Sequence, residues 1–311
     1  MLLKQISSKD PLTKIVIDGL AKTAPVLFDA EFYAKGGSAD NVKKAGTSTI
    51  SGIFRSLNEN NSSTPPDPVY EPHSKKIISF DTKVDVMLED RNEDPEKELA
   101  VQTRLDAEEA GFLLQEKFFE GQSSQDAEEF DGLREITPED NLKYVAANGL
   151  ILPLGSSDSK ITAQQQAIEE LLKLFATVRG GATHAYMNEY LKIRLLSIAK
   201  NLGYYRMEKD KLGSTIEKIG SVIIRGGGYK SDGTPLLPFN ETVGTATSKC
   251  SSIFAVRWGE RVDLTALTSV GVKARYSGQS GNFLVNNINL DMALVLQNDS
   301  AIVQSSGWRL D

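Results

Sequence analysis

Residues 94–136 read DPEKELAVQTRLDAEEAGFLLQEKFFEGQSSQDAEEFDGLREI. Asp94 and Pro95 make a cap and a first helical position, and Glu93, Glu96 and Glu98 stand where the positive end of a helix dipole favours acids. The helix runs to Glu120, where Gly121 offers the stop. At 1.5 Å per residue, positions 94–120 span roughly 40 Å. Val101, Leu105, Phe112, Leu113 and Phe119 are expected to form a narrow apolar seam. Arg104, Asp106, Glu108, Glu109 and Glu116 keep the remaining circumference polar. So long a helix with so thin a stripe suits a brace across a flat protein better than a central core helix.

Upstream lies the cleanest strand pattern of the chain. Ile78, Phe80, Thr82, Val84, Val86 and Leu88 alternate with Ser79, Asp81, Lys83, Asp85 and Met87, a period of two that buries one face. Before it, residues 35–74 are rich in turn formers, with Asn60, Asn61, Ser62, Ser63, Thr64, Pro65, Pro66 and Pro68 clustered together. Strand-like pieces at 50–57 and around Val69 and Tyr70 flank the cluster. The stretch reads as a long hairpin with a proline-stiffened tip, or else as a flexible linker. Ahead of it, residues 11–32 carry helical spacing at Leu12, Ile15, Ile17 and Leu20, which Pro25 interrupts. A short helix followed by an extended piece is expected. One such element cannot bury its apolar face alone, so it reads as an arm lying on something else.

Downstream, 159–178 and 188–202 read as helices around a strand at 183–187. Further strands are expected at 217–224, 252–258, 284–296 and 301–304. Gly226, Gly227 and Gly228 make a permissive turn. The GxxxxGK[ST] spacing of a phosphate loop is missing there.

The chain has 311 residues, 40% of them hydrophobic and 25% charged, which excludes wholesale disorder and fibrous repeats. No apolar run approaches the ~20 residues needed to span a bilayer. The single Cys250 excludes an intrachain disulfide framework, and His73 and His184 are the only histidines. Gly278-Gln279-Ser280-Gly281 lacks the last glycine of a nucleophile elbow, since Asn282 stands there. Adjacent carboxylates such as Glu108 and Glu109 point in different directions on a helix. The reading is therefore that the chain is not an enzyme and has no cofactor. Charge is uneven: residues 85–140 hold 19 acidic and 5 basic residues, a balance of −14 within a net −7, so the rest sums to +7. This is either a solvated acidic face or a head-to-tail complementarity between copies.

The order of parts (arm, polar hairpin, strand, bracing helix, α/β region, returning strands) resembles the major capsid proteins of tailed phages, whose fold encapsulins and herpesvirus capsid floors share. The resemblance rests on residues 12–32, on QTRLDAEEAGFLLQEKFFEGQSSQDAEEFDGLREI at 102–136, on its Phe130-Asp131-Gly132-Leu133 element, and on IFAVRWGE at 253–260. It implies an α+β fold with an N-terminal arm (1–45) and an extended hairpin loop (46–78) reaching over a neighbour. A peripheral domain (79–154 and 271–311) holds the spine helix 94–120, and an axial α/β domain covers 155–270. It also implies pentamers and hexamers of one chain that tile an icosahedral shell around packaged double-stranded DNA, with nonspecific, phosphate-directed contact to that DNA.

Candidate intersubunit contacts are Arg55, Asn60, Pro65, Pro66, Tyr70, Glu108, Glu109, Phe130 and Asp131. A portal is a further expected partner, a decoration protein is an option, and no membrane is expected. The expected location is the virion, after assembly in the host cytoplasm. Some members carry a scaffolding segment ahead of the arm; this chain has no room for one, so a separate scaffold protein or a processed chain is expected. Residues 46–74 contain no lysine, so no lysine crosslink is expected from that loop. An encapsulin-like compartment is the first alternative. An α/β hydrolase is a distant second, since it lacks a base.

Overall fold

The computed structural model describes residues 3, 9–37, 39–44, 70–87, 94–209 and 215–310, with backbone only at 39, 40 and 43. The arm opens with helix α1 (Pro11–Thr23), capped by the Asp10 carboxylate, which accepts from the Thr13 amide. Pro25 does not lead into extended chain as expected. Its φ of −60° starts a second short helix, α2 (Val26–Asp29), because proline suits a first turn as well as it breaks an interior. Strand β1 (Phe32–Ala34) then pairs parallel with β13 (Leu264–Thr268).

The hairpin stem consists of β2 (Ala39–Lys43) and β3 (Tyr70–Ser74), an antiparallel pair in which Lys43 faces Tyr70. β4 (Lys76–Asp85) follows, two residues earlier at its start and three shorter at its end than the alternation implied. The spine helix α3 (Pro95–Glu120) has Asp94 accepting from the Glu96 and Lys97 amides, as the cap reading required. After it come α4 (Leu133–Ile136), β5 (Leu142–Tyr144), β6 (Leu150–Ile151), α5 (Asp158–Thr177), β7 (His184–Met187), α6 (Glu189–Asn201) and β8 (Tyr205–Lys209). The chain closes with β9 (Thr215–Ile219), β10 (Val222–Gly226), β11 (Glu241–Val243), β12 (Ala246–Val256), β13, β14 (Val272–Ser280), β15 (Phe283–Leu296) and β16 (Ile302–Arg309).

Two large sheets organise these elements. A five-stranded sheet runs β1-β13-β15-β14, with β4 on the far edge of β15; a nine-stranded sheet runs β5-β16-β12-β7-β10-β9-β8, with β6 on β16 and β11 on β12. Two apolar clusters form. The arm, the spine helix and the five-stranded sheet share one apolar cluster, while α5, α6 and the nine-stranded sheet share another. One face of the nine-stranded sheet, through Tyr186, Phe254, Val256 and Ile302, also contributes to the first. The sheets do not respect the boundaries expected at 154/155 and 270/271. β5, β6 and β16 belong to the nine-stranded sheet, because β16 pairs with the buried β12, and β13 belongs to the five-stranded one.

The single strand expected at 217–224 is a hairpin. Gly220, at φ +65°, and Ser221 form a two-residue turn between Ile219 and Val222, a conformation open to glycine at that first position. The seam expected on the spine helix is the second correction. Its core-facing residues are Leu99, Thr103, Ala107, Gly111, Leu114, Gln115, Phe118 and Phe119; of the five expected, only Phe119 is buried. Val101, Leu105 and Leu113 are 53%, 53% and 47% exposed, on the opposite face.

Candidate assembly surface

The arm is fastened to the spine by small residues. A Cβ added to Gly19 would stand 2.8 Å from the Ala107 Cβ, and one added to Gly111 would stand 2.9 Å from the Leu20 carbonyl oxygen. α1 and α3 therefore touch backbone to backbone, closer than any pair of larger side chains allows. Glu108 locks the crossing: Lys22 donates to its carboxylate at 2.7 Å, and the Thr23 hydroxyl donates to its carbonyl at 2.8 Å. The Lys22 hydrogen bond holds the Glu108 carboxyl below its ordinary range. Glu108 thus serves a contact within its own chain.

A second fastening lies at the arm's far end. Asp29, 8% exposed, accepts from Arg225 Nε and Nη2 of β10 at 2.8–3.1 Å. The Asp29 charge acts on the Tyr186 phenol, and His184 Nε2 lies 3.7 Å from the carboxylate. Burial pushes the His184 imidazole below its ordinary value and the Tyr186 phenol well above its own. Trp258 Nε1 donates to the Tyr186 oxygen at 3.0 Å, and its ring stacks on Phe118 of the spine at 6.1 Å. Arm and nine-stranded sheet meet at this carboxylate, and the spine joins them through Phe118 against Trp258 and Tyr186. Nothing in the sequence marked Asp29, which lies 196 positions from Arg225.

The loop after the spine closes back on the helix end through the Phe130–Leu133 element. Gly132 N–H donates to the Gly121 carbonyl at 2.9 Å, and the Ser123 amide donates to the Asp131 carboxylate at 2.7 Å. Gly121 has φ −60°, so it is not a left-handed cap. Glycine is needed there because a Cβ would fall 2.3 Å from the Phe130 carbonyl oxygen. Phe130 is 5% exposed and belongs to its own chain's core. Together with His73 and Lys76, Phe130 and Asp131 line a 320 Å³ cavity at the foot of the hairpin stem. Arg134 extends the closure to Glu241, whose carboxylate also accepts from Ser252.

The three glycines of 226–228 bring the nine-stranded sheet against the spine. Gln115 Nε2 donates to the Gly227 carbonyl at 2.8 Å, and Gly228 adopts φ +86° beside the Gln115 side chain. Lys230 then reaches Glu116 and Glu120, both at 3.0 Å. Burial opposes its charge, but those two hydrogen bonds outweigh the burial and its pKa is raised.

What remains outward is the other side of the spine. Val101, Leu105, Glu109 and Leu113 follow one another at four-residue steps, each advancing about 40° round the axis. Between this ridge and β4 runs a groove of 520 Å³ with Ile78, Phe80, Ala110 and Leu113 as apolar lining and Asp81, Asp106, Glu109 and Glu116 as acidic rim. Thr82 and Gln102 hydrogen-bond Asp106, and Asn287 hydrogen-bonds Asp81. Glu109 is exposed. Tyr70, 57% exposed, ends the hairpin stem. Arg55, Asn60, Pro65 and Pro66 lie outside the described residues.

Among the described residues, His184 and Ser280 do not come together. His184 Nδ1 lies 3.0 Å from the Thr183 hydroxyl, but that hydroxyl donates to the Val256 carbonyl and accepts from the Trp258 amide. Ser280 ends β14, in the other sheet. Among the described residues no cluster of three or more His, Cys, Asp or Glu could hold a metal ion. No helix among them is long and apolar enough to cross a membrane.

No protein-family profile matches the sequence, and no curated protein matches it. Solved structures do. The chain superposes on the holo-SrpI encapsulin complex of Synechococcus elongatus with a TM-score of 0.61 at 13% identity, over 90% of this chain and 85% of that one. The capsid of an empty GTA particle gives 0.54 at 13% identity, over 90% and 88%. A chain of Microbacterium phage Oxtober96 gives 0.51 at 12% identity, over 93% and 91%. The fold is the tailed-phage capsid fold. At these identities the capsid fold is what is shared, over about nine tenths of the chain. The α+β class, the spine helix and the closing loop that the resemblance implied are all present.

Proposed function

We propose that this chain is a structural shell protein, a major capsid protein that self-assembles into pentamers and hexamers and encloses double-stranded DNA in an icosahedral shell. The observation that carries the proposal is the match to shell proteins along nine tenths of the chain. The outward spine face supports it physically: a ridge of half-exposed Val101, Leu105 and Leu113 beside an apolar groove is costly to leave in water and is covered once copies pack together. Subunits that lend segments to their neighbours make heterologous contacts, which close into rings.

In this reading the nine-stranded sheet with α5 and α6 forms the axial part, and the spine with the five-stranded sheet forms the peripheral part. The segment between Lys44 and Tyr70 bridges copies. A separate scaffold protein, a portal and a decoration protein are partners of the assembled particle in the virion, and contact with DNA is through phosphates. A second reading is a compartment for a cargo protein, favoured by the TM-score of 0.61 with an encapsulin, above those with the GTA capsid and the phage chain.

Electron microscopy of the purified protein tests the shell, and analysis of nuclease-treated particles tests its contents. Closed shells are expected, with protected double-stranded DNA in particles from the native source. Protein-filled shells free of nucleic acid favour the compartment. A monomer that forms no closed particle under any assembly condition overturns both.

A further inference from the structure

We propose that the cavity between the arm, the hairpin stem and the outer face of the five-stranded sheet binds a small organic anion, a carboxylate that carries an apolar body and an N–H donor. The site is independent of the shell reading, because the folded subunit alone holds all of its walls.

Strand parity makes the cavity. Phe32, Leu264, Ala266 and Leu294 point into the core shared with the spine, so their neighbours Tyr33, Leu267 and Val295 face the other way. There they pack with Val42 of the stem. Asn41, Val42 and Tyr70 of the stem supply the facing wall, and 280 Å³ is left between stem and sheet. That is close to the ~300 Å³ at which small-molecule sites begin.

The chemistry of the lining points to the ligand. It contains two cations, Lys35 and Arg261, and no carboxylate. The Arg261 guanidinium lies over the Tyr33 ring, 4.8 Å from its centroid, while Asp263 of the same turn is engaged by Arg257 at 2.9 Å. Gln297 also lines the cavity. It is 6% exposed, and its Oε1 accepts no hydrogen bond among the described residues. A buried amide oxygen left unpaired is costly, and an N–H of a bound molecule supplies the missing partner.

The backbone is strained at the same place. Arg261 has φ +64°, a conformation that favours glycine. Thr265, on the cavity wall, holds it there: its hydroxyl accepts from the Arg261 amide at 3.1 Å and donates to the Gly259 carbonyl at 2.8 Å. Strain of this kind gathers at ligand clamps. The carboxylate of the ligand meets Arg261 and Lys35, its N–H reaches Gln297, and its apolar body packs on Leu267, Val295 and the Tyr33 ring.

Calorimetric titration of the full chain with N-acetylphenylalanine, which has all three parts, tests the site. N-acetylphenylalaninamide lacks the charge and phenylpropionate lacks the donor. Saturable binding of one N-acetylphenylalanine per chain is expected, with each control about tenfold weaker. Arg261→Gly relieves the strained φ, and Gln297→Met removes an acceptor that the empty protein leaves unused. Each variant should therefore keep or raise its denaturation midpoint while its affinity falls about tenfold. No saturable binding at millimolar probe overturns the proposal, as does equal binding of the uncharged amide. Unchanged affinity in both variants places the probe elsewhere and overturns it too. A drop in the midpoint of both variants makes the two residues structural and counts equally against the site.

Discussion

Replacing Asp29 with asparagine keeps the volume of the side chain and removes the charge that Arg225, Tyr186 and His184 surround. Breaking a fully buried ion pair by removing one partner costs about 3–5 kcal/mol, mostly because the other charge is left uncompensated. Arg225 keeps 28% of its side chain in solvent, so water recovers part of that loss, and about 2 kcal/mol is expected. The loss should fall on the arm first, since Asp29 closes α2 and precedes β1, whose three residues pair with β13. A loss of 2 kcal/mol multiplies local opening roughly thirtyfold. Native-state hydrogen exchange of the amides of 26–34 measures it, with the amides of α5 and α6 as internal controls. Arg225→Met paired with Asp29→Asn should restore much of the loss, because removing both charges leaves neither stranded. If the two single costs add within about 0.5 kcal/mol in the double variant, the pair is not coupled and the latch argument fails.

Gly111→Ala should destabilise the arm's docking despite the ~1 kcal/mol that alanine gains over glycine in a helix, because the new Cβ would stand 2.9 Å from the Leu20 carbonyl and overpacking costs about 1–3 kcal/mol. Denaturant titration of the subunit that shows a gain in stability would contradict this close crossing. Burial lowers the His184 pKa in the folded state, so the unfolded chain takes up the proton first. The stability associated with neutral His184 is complete above the unfolded value of about 6.5 and declines as pH falls below it, by no more than ~1.4 kcal/mol per pH unit. His184→Gln should flatten that part of the stability–pH curve, and an unchanged slope would rule the imidazole out as its source. Deleting residues 58–68 should leave a subunit that folds but assembles poorly, and normal particles by electron microscopy would remove the bridging role of that segment. Mass spectrometry of intact particles should find no isopeptide bond from residues 46–74, which contain no lysine.

The spine helix was legible almost to the residue because its ends are chemical: Asp94 caps it, Pro95 starts it, and Gly121 is needed where Phe130 and Lys117 come too close for a Cβ. Its buried face was not legible, because Thr103, Ala107 and Gly111 do not read as core. Hydrophobic periodicity weights a side chain by its apolar bulk, whereas a close helix crossing selects for smallness. The hairpin at 219–222 was hidden for the opposite reason: Ile219 and Val222 are both apolar, and the two turn residues between them are too few to break the pattern. The Asp29 latch was beyond reach from sequence, since it joins an arm residue to strands some 155–230 positions later, and no local rule pairs them. Sequence reasoning proposed Glu109 as a contact residue by its acidity alone. Which side of the helix it occupies followed only from the packing.

The misread seam bears on assembly. The arm helix occupies the small-residue face of the spine, where Gly19 meets Ala107 and Gly111 meets Leu20, while Thr103 bonds Asn286 and Leu114 and Phe118 enter the shared core. That leaves the bulkier Val101, Leu105 and Leu113 about half exposed, with nothing among the described residues to cover them fully. A monomer designed only to fold would place polar residues at those three positions and lose little, since its core does not use them. Their retention beside an acid-rimmed groove makes sense if the face is finished by another copy. The same three substitutions, Val101→Gln, Leu105→Gln and Leu113→Gln, therefore separate folding from assembly. The subunit should keep its denaturation midpoint within about 0.5 kcal/mol per site, as exposed positions do. Shell formation should fall sharply. A triple variant that unfolds early would mean the ridge serves the chain's own core, and one that assembles normally would mean nothing covers it in the shell.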